Sequence, residues 1–243
     1  MPRNGFPEAE VFEIQKVKLN NPIIFAGFVG AGLVGSIAAG YIIEKLKMKE
    51  IAYLRSKYLP PATVFIRGRL RHPFRFYSNK KGTICGIICE ITLRMEGLYT
   101  IASSILDWAE KNGSNEIVIV DGVASKEEHD KKAFCAAEED LCRVMADKGI
   151  DMVPQGFVTG IPGAILNECL VRKIRGVTLL VRANPKKPDP MAAATLVDAV
   201  NRAYETKIDV SDLRKQAEQI GNDFKELSEK YSEARKSDAD MYM

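Results

Sequence analysis

Apolar residues follow two registers along the chain. Short runs rich in β-branched and aromatic residues read as buried strands: Ile23 to Phe28, IAYL from Ile51, TICGIICEI from Thr83 to Ile91, EIVIVDGV from Glu116 to Val123, and VTLLV from Val177. Between them the apolar positions recur at helical spacing. One helix is predicted from about Leu33 to Lys47, turning amphipathic at EKLKMKE, and a second carries Ile101, Ile105 and Trp108 and closes at Gly113. AFCAAEEDLCRVMADKG predicts a third, then a short strand around Met152 to Val158, a helix from Gly163 to Lys173 and the helix MAAATLVDAVNRAYE. Strands separated by helices predict a three-layer α/β fold, a mostly parallel sheet with helices on both faces.

From Leu213 the pattern narrows. Leu213, Ala217, Ile220, Phe224, Leu227 and Tyr231 step by four and three, a heptad stripe wide enough to dock on the protein's own body or on a sister subunit. Asp209 or Ser211 can cap its start. SEARKSDAD, further on, offers only alanines to a core and reads as a tether. The expected organisation is an α/β core at 1–207, a C-terminal helical segment at 208–236 and a flexible tail at 237–243.

The stretch from Pro22 to Ile43 carries no charge, and about 22 such residues can cross a bilayer. Five glycines dilute it, so strand, glycine loop and helix is the better parse, and no membrane association is expected. With 46% apolar and 28% charged residues the chain can bury a full core. Its 35 basic and 32 acidic residues nearly balance at +3, leaving no global field toward nucleic acid or anionic lipid. Five cysteines, read as free thiols, and no leader pattern point to a reducing, cytoplasmic setting.

Candidate chemistry is sparse. Gly30, Gly32 and Gly35 spell G-x-G-x-x-G between a strand and a helix, the context of a dinucleotide loop. The next strand ends in Arg55, Ser56 and Lys57 rather than an acid, which leaves only a phosphorylated dinucleotide; the competing reading is close packing of helix on sheet. His72 and His129 stand near no nucleophile motif. Glu127, Glu128, His129 and Asp130 could hold a metal, although the flanking lysines favour a solvated loop. Cys85 and Cys89 on a strand, and Cys135 and Cys142 on the predicted third helix, lack zinc or redox spacing. In FIRGRLRHPFRFY, Arg67, Arg69, Arg71 and Arg75 interleave with Phe74, Phe76 and Tyr77, which suits a single-strand clamp but equally a half-buried strand. No nucleic acid, metal or cofactor is expected.

Taken in order, NPIIFAGFVGAGLVG, KYLPPATVFIRGRLRHPFRFY, MEGLYTIASSILDWAEKNG, EIVIVDGV, PGAILNE, TLLVRANPKKPDPMAAA and KIDVSDLRKQAEQI resemble the proteasome assembly chaperone family, most of all its archaeal homo-oligomeric members. The resemblance implies a fold related to nucleoside phosphorylases without an established active site, and so no catalysis. It makes the glycine loop a packing feature; the alternative is a nucleotide- or nucleoside-binding enzyme built on Gly30, Gly32 and Gly35. The ending Met241, Tyr242, Met243 matches the hydrophobic, tyrosine, any-residue tail that proteasome activators and several assembly chaperones insert between α-subunits of the core particle. By that resemblance Tyr242 fills the pocket, Met241 adds apolar anchoring and the Met243 carboxylate meets a lysine.

Two buried side chains contribute about 2 kcal/mol each and a charge-assisted pair about 2 more, while ordering a tail costs several. A single tail therefore binds weakly. A homo-oligomer, a tetramer or pentamer, that presents several tails adds about two to four orders of magnitude. The expected partners are the α-subunits of the proteasome core, sister subunits, or another protein of the same family.

Overall fold

The structure is a computed structural model describing residues 7–125 and 131–219. In chain order the strands are β1 (Glu10–Glu13), β2 (Ile23–Phe28), β3 (Lys49–Arg55), β4 (Val64–Ile66), β5 (Arg69–Arg71), β6 (Phe74–Ser78), β7 (Ile84–Cys89), β8 (Glu116–Ala124), β9 (Ala133–Ala137), β10 (Asp151–Met152) and β11 (Arg175–Ala183). The helices are α1 (Val34–Lys45), α2 (Leu98–Lys111), α3 (Glu139–Asp147), α4 (Gly160–Arg172), α5 (Pro190–Tyr204) and α6 at 211–219.

Nine strands form one sheet in the order β1-β3-β6-β7-β2-β8-β11-β9-β10, and β4 and β5 pair as a separate hairpin. The centre, β7-β2-β8-β11, is parallel. Helices cover both of its faces, which is why these strands are apolar on both sides. Toward the edges the pairing turns antiparallel, at β7 with β6, β6 with β3, β3 with β1, and β11 with β9. The five residues that join β6 to β7 are too few for a parallel crossover. They form a tight turn in which Asn79 Oδ1 accepts from the Thr83 amide at 3.0 Å and Gly82 takes φ +69.

Two cores sandwich the sheet. One, under α1, α3, α5 and α6, includes Phe25, Val34, Leu141, Met145, Leu179, Leu196 and Leu213; the other, under α2 and α4, includes Ile24, Phe76, Ile101, Ile105, Trp108, Ile117 and Ile165. The uncharged stretch from Pro22 is divided between β2, a one-turn 3-10 segment (Ala31–Leu33) and α1. Among the described residues no helix is long and apolar enough to cross a membrane.

Two expected elements differ. AFCAA is not the start of a helix but β9, held by antiparallel pairing of Ala133 to Ala137 with β11; only after Glu138 does α3 begin, with Glu139 and Asp140 favourably placed in its first turn. Cys135 thus lies on a strand and Cys142 on a helix. The strand expected from Met152 to Val158 is the two-residue β10, followed by a loop.

Candidate functional site

The motifs of the glycine loop, MEGLY, VDGV and PGAILNE converge on one cleft of about 420 Å³ at the carboxyl ends of β2 and β8. From β2 the chain goes on to β3 on one side, and from β8 to β9 on the other, beyond β11, so the cleft sits where the direction of winding reverses. Phe28, Leu93, Leu98, Ile161 and Leu180 make apolar walls, and Asp121 contributes a carboxylate. Asp121 interrupts the otherwise apolar β8 run at the point where the strand passes from core to rim. Its Oδ1 accepts from the Gly122 amide at 2.8 Å, and desolvation still pushes its pKa up to about 6.

The glycine loop is packed rather than open. A Cβ on Gly35 would come within 2.6 Å of Val120 O and 2.8 Å of Phe28 O, so glycine lets α1 lie directly against the sheet. Gly32, at φ +62, is covered by Asp189, Ala183 and Asn184, and its carbonyl accepts from the Asp189 amide at 2.8 Å. Asp189 in turn caps α5 through the Ala192 amide and is paired to Lys131. At Gly30 a Cβ would stand 2.6 Å from Asp121 Oδ1. A carboxylate beside the loop, and a helix start closed over by a neighbouring segment, suit packing and oppose a pyrophosphate.

The other motifs meet nearby. The ring of Tyr58, from KYLPP, fills the space where a side chain on Gly97 of MEGLY would go, and Asn167 of PGAILNE donates to Tyr99 Oη at 3.0 Å. The arginine-aromatic stretch is dismantled by the fold. Phe74 and Phe76 are fully buried, and Arg75 is 2% exposed, paired with Glu90 at 2.5 Å and donating to Tyr77 Oη at 2.7 Å. Arg67 and Arg69 lie on the exposed β4-β5 hairpin beside Phe65 and Leu70. No clamp of bases between these aromatics is possible.

His72 stacks on Tyr53 with ring centroids 3.7 Å apart, and burial holds its pKa below the ordinary value. Glu127, Glu128, His129 and Asp130 lie outside the described residues; among the described residues no group of three potential metal ligands occurs. All five cysteines are buried and unpaired.

Of the C-terminal stripe, Leu213 is buried and Ala217 partly buried, both on α6, whereas Ile220, Phe224, Leu227 and Tyr231 lie outside the described residues, as do Met241, Tyr242 and Met243. The root of α6 is pinned. Tyr41 Oη donates to Asp209 O at 2.7 Å, Arg214 pairs with Asp198 at 2.7 Å, Lys45 pairs with Asp212, and Asp209 Oδ1 accepts from the Ser211 amide at 2.9 Å. Ile208 and Val210 add to the anchor, and alternation in KIDVSDL was the signal for them. Asp121 and Arg75 had weaker signals: an acid within an apolar strand, and an arginine between two buried aromatics.

A family model described as the PAC2 family matches residues 24–228. Pyrococcus furiosus PbaA, described as an archaeal homolog of proteasome-assembly chaperone, superposes with a TM-score of 0.85 at 28% identity, over 96% of this chain and 98% of PbaA. A protein of unknown function from Thermoplasma acidophilum is 35% identical with a TM-score of 0.78, over 90% of each chain. Pyrococcus furiosus PbaB, described as an archaeal proteasome activator, shares the fold with a TM-score of 0.83 at 21% identity, over 91% of this chain and 99% of PbaB. The family match takes in both cores, the cleft and the root of α6, and the chain belongs to the PAC2 family, the proteasome assembly chaperone family that its motifs resemble.

Proposed function

We propose that this protein is a non-catalytic partner of the proteasome, an assembly chaperone or ATP-independent activator that docks C-terminal tails on the α-subunits of the core particle as a homo-oligomer. The reading rests on one conjunction: PAC2 membership across residues 24–228 in a chain whose last residues are Met241, Tyr242 and Met243. The description of PbaA as a homolog of proteasome-assembly chaperone supports the same partner. The root of α6 is anchored on the body by Leu213 and the Tyr41–Asp209 hydrogen bond, which fixes the point from which such a tail would start. Twenty-four residues follow position 219, and they can reach at most about 85 Å when extended.

The test is binding of the full chain, Tyr242→Ala and a chain ending at Asp240 to purified archaeal core particle and to unassembled α-subunits, with peptide hydrolysis followed in parallel. Saturable binding by the full chain, weakened at least about tenfold in both variants, is expected. Preference for free α-subunits marks a chaperone, and faster hydrolysis by the finished particle marks an activator. Equal binding by all three chains would remove the tail from the mechanism.

A further inference from the structure

We infer that the cleft at the ends of β2 and β8 is a binding site for small amines with an apolar or aromatic body, the Asp121 carboxylate receiving the ammonium group. Three observations lead there. First, the cleft has the size and composition of a small-molecule site, about 420 Å³ with mainly apolar walls, and lies at the winding reversal where open α/β sheets take ligands. Second, among the described residues Asp121 is the single charged side chain that lines it, from any of the strand, loop and helix segments around it. Third, that carboxylate is half-satisfied. Oδ1 accepts from the Gly122 amide, and among the described residues Oδ2 has no hydrogen-bond partner.

The polarity follows from these facts. With no basic side chain among the described lining residues, an anion entering the cleft meets Asp121 without compensation. The far wall is the first turn of α4, where Pro162 has no N–H and the Gly160 and Ile161 amides have no side-chain cap; their partial positive charge is smaller than the full charge on Asp121. Thr92 and Thr159 supply neutral hydroxyls at the rim. An ammonium group satisfies Oδ2, stabilises the ionised carboxylate in its poorly hydrated setting, and leaves the rest of the ligand against Phe28, Leu93 and Ile161. A side chain at Gly30 would crowd this carboxylate, its Cβ standing 2.6 Å from Oδ1 and 3.8 Å from Oδ2.

The probes are phenethylamine, its neutral counterpart 2-phenylethanol, the anion 3-phenylpropionate, and adenosine monophosphate, titrated by calorimetry and by thermal shift against the full chain. At about pH 8 the amine is expected to bind with a dissociation constant on the order of 0.1–1 mM, about tenfold more tightly than the alcohol. That preference should shrink below about pH 6, where Asp121 takes up a proton. Asp121→Asn, which keeps the shape, should abolish it, and Gly30→Ala, whose methyl would stand beside Oδ1, should weaken the amine about fivefold or more. An amine preference unchanged in Asp121→Asn overturns the assignment. So does tighter binding of either anion, or no binding of the amine at about 10 mM.

Discussion

Asp121 and Arg75 are two charges placed within mainly apolar strands, and their environments treat them oppositely. Arg75 is enclosed but fully engaged, by Glu90, Tyr77 Oη and the His72 carbonyl. Asp121 is desolvated with a single amide for compensation, so its folded-state pKa of about 6 exceeds the ordinary 3.8. Between those two values the folded protein keeps a proton that the unfolded chain has released. The contribution of Asp121 to stability therefore falls as pH rises from about 4 to about 6, and stays lower above. Asp121→Asn removes that dependence: urea unfolding at about pH 8 should show the variant more stable by on the order of 1–2 kcal/mol, and at about pH 4 equal to the parent. Sequence carried only a weak signal for either role. Arg75 belongs to a basic-aromatic alternation whose outward appearance suggested ligand contact, and only the antiparallel seating of β6 between β3 and β7 turns it inward. The glycines were legible as a pattern, yet what distinguishes packing from phosphate binding is the carboxylate that β8 brings beside Gly30, some ninety residues away.

At the scale of elements, periodicity located the central strands and the helices α1, α2, α4 and α5 closely, because both faces of the sheet are covered and each helix buries one stripe. AFCAA escaped it. Alanine is a strong helix former, and a five-residue run in which three alanines surround one phenylalanine and one cysteine carries no strand signature; pairing with β11 overrides the propensity. The C-terminal helix was expected from its stripe, and in its described first turns Leu213 is buried. Leu213→Ala should cost about 2–4 kcal/mol, since the side chain is enclosed by the core under α1 and α5. Hydrogen exchange should show the amides of 208–219 losing protection ahead of β2 and β8, and a variant with full protection in that segment would mean that α6 is held by its polar contacts alone.

For the whole molecule, the five thiols report on integrity. All are buried, and desolvation pushes the pKa of Cys85, Cys89, Cys135 and Cys169 up to about 12. The thiolate fraction of these four at pH 7 is then about one in 10⁵, so Ellman's reagent should leave them unlabelled in the native protein and titrate all five in urea. Labelling that keeps pace with the loss of far-ultraviolet signal is the expected course; a thiol that reacts early would mark a locally opening region. The mixed character of the sheet was less legible than its centre, because parallel and antiparallel partners look alike in a buried run and the short NKKG turn between β6 and β7 was not read as a hairpin. That mixed order also has a consequence in time. β9 ends at Ala137, but the strand it pairs with, β11, begins at Arg175, and β11 must itself add to β8. During synthesis at about 5–20 residues per second, β9 waits about 2–8 s for its partner to be made. Ribosome-bound chains halted before residue 175 should therefore present an unpaired β8 edge to proteases and holdases, and the flank carrying Asp121 is completed only when the last strand of the sheet has left the exit tunnel.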